Sequence, residues 1–513
     1  MQHFFVSLVV FAASWVAAAP AAAFCGFYVA GGDTSLFNDA TQAVLMREGN
    51  RTVLSMQNNY DGPPEDFAMV IPVPVVLQQE NVKTLDEALF TKLDRLTAPR
   101  LVEYWEQDPC ESLGFSDMGD GMAAEFASVN DDRAEGSVEV EAEFSVGEYD
   151  IVILSTDDAT ALEGWLETNE YNIPDNASPY LNPYVEGGSY FFVAKVDPDK
   201  VTWAAEDDMS TGAVLSPLRF HYDDDVFSLP IRLGLINSQG DQDLIVYTLA
   251  ENQRYQVANY ENVTIPTNIE VVDDVRHSFG EFFTTLYDAV LESTPNAVVT
   301  EYSWDASSCD PCPGPTLDQS DYQTLGADVL YSETGENQWR SFVITRLHAR
   351  YNADNLGEDL ILEEAGPIAG GREFVQDDGI LEQGAQNSSI NNFQGRYIIR
   401  HAWEGAVMCA FPEWGQWGGP PEGGDAEVLG ALSPNSEGTS VNAEGDDDLS
   451  DDLNDLVLTP IPELGITGNQ APGLFGGAGC GCDATRASHS GFWLLGAGLW
   501  FVIARRRKER GYE

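Results

Sequence analysis

The sequence predicts an α+β fold: a large, mostly antiparallel β-sheet system with a few packed helices, followed by a disordered acidic stalk and a short C-terminal hydrophobic helix. Three observations carry this expectation. Runs of strand length, apolar or alternating, recur along most of the chain, with few stretches of helical period between them. Between Arg400 and Arg486 there is no Lys or Arg, and past Trp417 aromatics give way to Gly, Pro and acid. Near the end stands one apolar run, Gly491 to Ala504, closed by Arg505, Arg506, Arg507 and Lys508.

The elements follow in chain order. Ala40–Arg47 and Arg51–Asn58 are apolar, β-rich runs around Glu48-Gly49-Asn50, which predicts a hairpin. Asp66–Val76 holds prolines that cannot donate to a sheet, which predicts an edge strand or a departure from the sheet. Thr84-Leu-Asp-Glu87 reads as a capping box, with Leu85, Leu89, Leu93 and Leu96 at helical spacing and Pro99 as the stop. Ser137–Val146 alternates Val, Ala and Phe against Glu, a half-exposed strand that turns at Gly147 into Tyr149–Leu154. A helix is expected over Ala159–Asn169, capped by Asp157 or Asp158. Strands are expected at Ser189–Val196, Phe227–Ile236, Asp243–Ala250 and Tyr255–Tyr260. Ser278-Phe-Gly-Glu281 reads as a second capping box, opening a helix to about Glu292. Strands at Arg340–Tyr351, Leu360–Glu364 and Arg396–Trp403 complete the list.

The termini read as addresses. Phe4 to Val16 suits the apolar core of a secretory signal, and Ala21 and Ala23 give A-x-A spacing for cleavage after Ala23. The division expected is therefore a signal peptide at 1–23, an exported domain at 24–415, an acidic Gly/Pro-rich linker at 416–479 and a sorting tail at 480–513. The apolar run 491–504 is short for a bilayer span of about 17–25 residues, and the basic cluster after it favours the cytoplasmic side.

The formal net charge is −59, and residues 24–482 hold 81 of the 84 Asp and Glu but only 19 of the 25 Lys and Arg. Phosphate binding needs clustered cations, so this balance argues against nucleic acid and anionic lipid as partners. It favours solubility and cationic ligands. The run Asp446, Asp447, Asp448, Asp451, Asp452 and Asp455 allows weak calcium binding at most, because it lacks the alternating spacing that wraps one ion. No other cofactor is expected.

Of seven cysteines, Cys25, Cys110, Cys309, Cys312 and Cys409 are disulfide candidates. A Cys25–Cys110 bond would pin the mature N-terminus, worth about 2–4 kcal/mol. Cys309-Asp-Pro-Cys312 is followed by Pro313 and Pro315, which suits a structural or long-range disulfide in a rigid loop. Redox chemistry wants such a pair at a helix N-terminus. The histidines His221, His277, His348 and His401 sit in no H-E-x-x-H, and there is no G-x-S-x-G elbow and no phosphate loop. Asp223-Asp-Asp225 after His221 reads as a turn of solvated acids.

Two resemblances add to this. Cys480 and Cys482, then a polar spacer, an apolar segment and a basic stop resemble a myxobacterial-type C-terminal sorting tail. The resemblance implies cutting by a membrane protease, with Cys480 or Cys482 the residue processed and anchored. Phe24-Cys-Gly-Phe-Tyr-Val-Ala30, Thr52-Val-Leu-Ser-Met-Gln-Asn-Asn-Tyr60, Pro63 to Pro74 and Leu101-Val-Glu-Tyr-Trp-Glu106 resemble an exported bacterial family known as domain of unknown function 2330. Ser216-Pro-Leu-Arg219, Leu229-Pro-Ile-Arg-Leu-Gly234 and Thr345-Arg-Leu-His-Ala-Arg350 fit the same family. It implies location and architecture and carries no catalytic residue over. The function expected is a surface interaction or structural role with a protein or matrix partner. The alternatives are an envelope hydrolase with an unfamiliar site and a thiol oxidoreductase using Cys309 and Cys312.

Overall fold

The computed structural model describes residues 27–31, 41–58, 68–110, 139–169, 171–172, 177–203, 213–236, 240–331, 340–373, 381–420, 428–430 and 449–469. They form an α+β domain dominated by sheets. The signal segment with Cys25, the stretch 431–448 and the tail with Cys480 and Cys482 lie outside the described residues.

An eleven-stranded mixed sheet runs through the centre. Its middle is the hairpin Thr41–Glu48 and Arg51–Asn58, flanked by Gln242–Glu251 and Phe342–Tyr351 on one side and Leu218–Asp223 on the other. Gly49 takes a φ of 60° at the hairpin turn, a conformation that suits glycine. The first hairpin strand is buried from Thr41 through Met46 because both faces are covered. Ala43 and Leu45 enter one core, while Val44 and Met46 enter another.

The first of these cores lies between the central sheet and a six-stranded sheet, whose Ile71, Ile153 and Phe192 meet Leu54, Leu244 and Leu347. Two helices, Ala159–Thr168 and Ser178–Glu186, cover the outer face of the smaller sheet through Leu162, Leu166 and Leu181. The helix Glu87–Thr97 packs Phe90, Leu93 and Leu96 on the far face of the central sheet. A third core joins the helix Phe279–Ser293 to the strand Arg396–His401.

Several expectations change in detail. Pro72 lies inside a strand, Ala68–Val73, that has neighbours on both sides. The ladder to Phe27–Gly31 reaches only Val70, so the proline sits where one side is already unpaired. Thr84 ends a short strand, and the helix cap is Asp86, whose carboxylate accepts from the Ala88 N–H at 2.9 Å. Asp158 caps the next helix in the same way. Ser278 precedes its helix without a side-chain cap, because the helix continues from a 3-10 turn, Asp273–His277. The strand expected over 227–236 is only Ser228–Leu229, and Pro230 leads into a 3-10 helix, Arg232–Ile236.

The linker expectation for 416–479 fails at Trp417–Gly418 and Val428–Gly430, which pair with the strand Arg100–Glu106, and again over 449–469. Leu449–Leu456 is a helix, and Leu453, Val457, Ile461 and Ile466 are buried in the third core beside Phe282 and Leu286. The Leu458 N–H donates to the Glu270 carbonyl at 2.7 Å. Net acidity hid a 4-4-5 apolar spacing strong enough to dock the segment. Asp451, Asp452 and Asp455 therefore belong to this helix. No helix among the described residues is long and apolar enough to cross a membrane.

Candidate functional site

Strand Phe342–Tyr351 changes character along one face. Phe342 and Ile344 are apolar, and the next three residues on that face are Arg346, His348 and Arg350. The opposite face, with Leu347, Ala349 and Tyr351, stays in the first core. Each cation finds carboxylates from neighbouring elements. Arg346 Nε donates to Glu301 Oε2 at 2.6 Å, and its Nη1 bonds Asp94 of the helix Glu87–Thr97. Arg350 bonds Asp243 at 2.8 Å through Nε and reaches Asp288 through Nη1. His348 lies between them, with Nδ1 2.7 Å from Glu301 Oε1 and Nε2 3.1 Å from Asp243 Oδ1.

Glu301 reaches both Arg346 and His348 because the strand Val298–Asp305 is bulged there. Thr300 pairs with Leu347 and Tyr302 with Arg346, leaving Glu301 as the inserted residue. A bulge re-aims a side chain that regular alternation would send elsewhere. Tyr287 stacks on the His348 ring with centroids 3.9 Å apart.

Four carboxylates here face two guanidiniums and one imidazole, so protonating His348 relieves excess negative charge. Burial pulls its pKa down, but Glu301 and Asp243 outweigh burial and hold it above the usual histidine value. Burial likewise pushes Asp243 and Glu301 up, and the cations beside them bring both net below the carboxylate range. Asp288 goes the other way, raised by burial despite Arg350. Arg346, Glu301, Asp94 and His348 are all buried. Each is occupied by another member of the group, so this lattice ties the helices to the sheet as a brace.

The second assembly is at the surface. Strands Arg100–Glu106 and Arg396–His401 run parallel, with Trp105 opposite His401, so both chains leave the sheet at the same end. The loop after His401 then returns to its start. Glu106 holds its two ends, accepting from the Trp403 N–H at 3.2 Å and the Gly415 N–H at 2.8 Å. Cys409 is disulfide-bonded to Cys110, with Cα atoms 5.5 Å apart, and the Glu413 N–H donates to the Pro109 carbonyl at 2.9 Å. Ends this close make an Ω-loop, a type often used for binding. It turns apolar side chains outward: Met408 is 88% exposed, Phe411 89% and Trp414 54%. At its base His401 meets Glu103 at 2.7 Å, Arg276 at 3.1 Å and the Trp105 ring.

The cysteine expectation is corrected here. Cys110 pairs with Cys409 rather than with Cys25, because the parallel register delivers both to one edge. Cys309 and Cys312 bond each other, with Cα atoms 4.9 Å apart, in a loop between a strand and a later helix. The Pro311 carbonyl in that loop accepts from buried Arg100 Nη1 at 2.7 Å. The turn expected over Asp223–Asp225 begins one residue later: Asp223 ends the strand Leu218–Asp223 and pairs with Arg51, and past it the Asp224 carbonyl accepts from Arg47. His277 is exposed, and His221 meets Asn81. Among the described residues no group of three or more His, Cys, Asp and Glu is arranged to hold a metal ion.

Sequence reading missed Met408, Phe411 and Trp414. The available signal was a run of large apolar residues among Gly, Pro and Glu next to a cysteine. It also missed the lattice, whose sign was the i, i+2, i+4 cation spacing in Arg346-Leu-His348-Ala-Arg350.

Fold and site together define a β-rich domain with charged side chains bracing its interior and a cluster of exposed apolar side chains on a stapled loop. The chain belongs to a family of uncharacterized proteins conserved in bacteria, DUF2330, whose model matches residues 19–363. The match takes in Arg219, Arg346, His348 and Arg350 and stops short of the Ω-loop. No curated protein and no solved structure matches the chain.

Proposed function

We propose that this is an exported, envelope-anchored interaction protein that docks a protein partner through the Ω-loop at 403–415. The observation that carries the reading is three large apolar side chains, Met408, Phe411 and Trp414, held in solvent by a disulfide and a carboxylate clamp. Solvent-exposed apolar clusters mark interaction sites, and fixing the loop beforehand lowers the entropic cost of binding. The loop carries Glu404 and Glu413 and no Lys or Arg. Its complement is an apolar socket rimmed by basic residues, whereas anionic lipid would be repelled.

Export is supported by the apolar segment at 4–16 and by two disulfides, which persist in oxidising compartments. On this reading the tail from Cys480 is a myxobacterial-type sorting signal, and Cys480 or Cys482 carries the anchor.

The test places a photo-crosslinking residue at Ala410 in the full chain, in its native cells. A discrete crosslinked protein at the envelope, lost in the Met408→Ser/Phe411→Ser/Trp414→Ser chain, is the expected result. A crosslink pattern that the triple substitution leaves unchanged overturns the docking site. Recovery of the chain in the cytosol with Met1 retained overturns export.

A further inference from the structure

We infer that a cleft beside Arg254 is a binding site for a small organic carboxylate. The cleft has a volume of about 500 Å³, within the range of roughly 300–1,000 Å³ usual for ligand sites. It lies between the strands Arg254–Val257 and Asn262–Thr264, the end of the helix Phe279–Ser293 and the turn Pro462–Leu464.

Arg254 is 8% exposed. Its Nε donates to the Gly366 carbonyl at 2.9 Å and its Nη2 to Gln256 Oε1 at 3.3 Å. Both acceptors are neutral. Among the described residues Nη1 has no hydrogen-bond partner, and Arg254 lines the cleft. A guanidinium has five N–H groups in a planar fork, so three remain: two on Nη1 and one on Nη2. That end-on pair matches the two oxygens of a carboxylate. The contrast with the lattice is direct. Arg346 is buried against carboxylates and Arg350 is half-buried against two, whereas among the described residues no carboxylate pairs with buried Arg254. Burial alone lowers its pKa, as expected for a cation lacking a counter-charge.

The remaining lining fixes the ligand class. Thr264, Ser293 and Thr300 offer hydroxyls, and Val263, Val290 and Ile368 offer an apolar surface. A compact molecule with hydroxyl or amide groups and one carboxylate satisfies both. A single negative charge fits better than a phosphate dianion, because Glu463 stands at the rim and the chain carries a net −59. The carboxylate could come from an acidic sugar or from a peptide C-terminus, which share this chemistry.

Calorimetric titration of the full chain separates the cases, using galacturonate, acetylglycine and neutral galactose as probes. Saturable binding of galacturonate or of acetylglycine, but not of galactose, is expected, and which of the two binds identifies the source. Arg254→Gln should weaken it about ten- to a hundredfold, the worth of a charge-assisted hydrogen bond. Should that chain fail to fold, Ala385→Trp fills the cleft with Arg254 in place and should abolish binding equally. No binding of either acid, galactose binding as tightly as galacturonate, or undiminished binding in both variants overturns the site.

Discussion

His348 is clasped by Glu301 on one nitrogen, at 2.7 Å, and Asp243 closes the other side at 3.1 Å. With Tyr287 stacked on its ring and Arg346 and Arg350 flanking it along the strand, the imidazole is the one member of the lattice whose ordinary pKa lies near neutrality. Its folded pKa is raised, so its stabilisation is complete below the unfolded value of about 6.5 and is lost as pH climbs through the folded value. Asp243 and Glu301 are depressed, so their stabilisation is present above their unfolded values of about 4 and is lost as pH falls through the folded ones. Asp288, raised by burial, has the opposite sign: its contribution is greatest below its unfolded value of about 4 and is lost as pH rises through the folded one. The melting temperature should therefore peak between about pH 5 and 6.5. Its alkaline limb should flatten in His348→Asn, and an identical alkaline slope in that variant would remove histidine from the account.

Arg346 is the centre of the lattice, bonded to Glu301 and Asp94 and touching the Tyr247 hydroxyl at 3.1 Å. Arg346→Met removes the cation that buried Asp94 and Glu301 share, leaving Glu301 with His348 as its cationic partner, and should cost about 3–5 kcal/mol. Adding Asp94→Asn and Glu301→Gln should recover much of that loss, since the penalty lies in the stranded charges. Urea unfolding of the single and triple variants measures it; additive losses would mean that the three do not act as one unit.

Legibility followed whether a feature is local. The hairpin around Gly49, the Glu139–Val146 alternation and the Asp158 cap depend on neighbouring residues, and sequence finds them. The lattice joins Asp94, Asp243, Asp288 and Glu301 across long separations, and Glu301 arrives only through a bulge. In a chain with 84 acidic residues no pattern marks those four. The Cys110–Cys409 bond spans 299 residues and depends on a parallel pairing that neither strand announces. Arg254 was invisible for the opposite reason: its distinction is that it lines a cleft while bonded only to neutral acceptors, which only packing shows.

Glu106 is the base of the Ω-loop. Glu106→Ala removes the acceptor for Trp403 and Gly415 at the surface and should lower stability by no more than about 1–2 kcal/mol. Amide exchange at Trp403 and Gly415 should accelerate at least tenfold, roughly the equivalent of one such bond, while the central sheet keeps its protection. Unchanged exchange at both amides would show that the disulfide alone shapes the loop.

Cys110→Ser with Cys409→Ser should cost about 2–4 kcal/mol, the usual worth of a native disulfide. The effect should exceed that of Cys309→Ser with Cys312→Ser, because the longer crosslink restricts far more of the unfolded chain, 299 residues against 3. Guanidinium unfolding of the two double variants makes the comparison. An equal loss would mean that native contacts made by the 309–312 loop, such as Pro311 with Arg100, matter more than chain entropy.

Leu453 has no solvent exposure although it stands in the most acidic part of the chain. Its neighbours in the core include Phe282, Leu286 and Tyr397, so the segment 449–469 is part of the domain's wall. Leu453→Ala should cost about 2–5 kcal/mol, as for other buried leucines, whereas exposed Asp455→Asn should stay within about 0.5 kcal/mol. Because Glu463 and Leu464 line the Arg254 cleft, the same leucine variant should also weaken carboxylate binding there. Thermal unfolding and calorimetric titration of the full chain read both effects. If Leu453→Ala melts with the parent protein, the segment is not docked, and the domain ends before it.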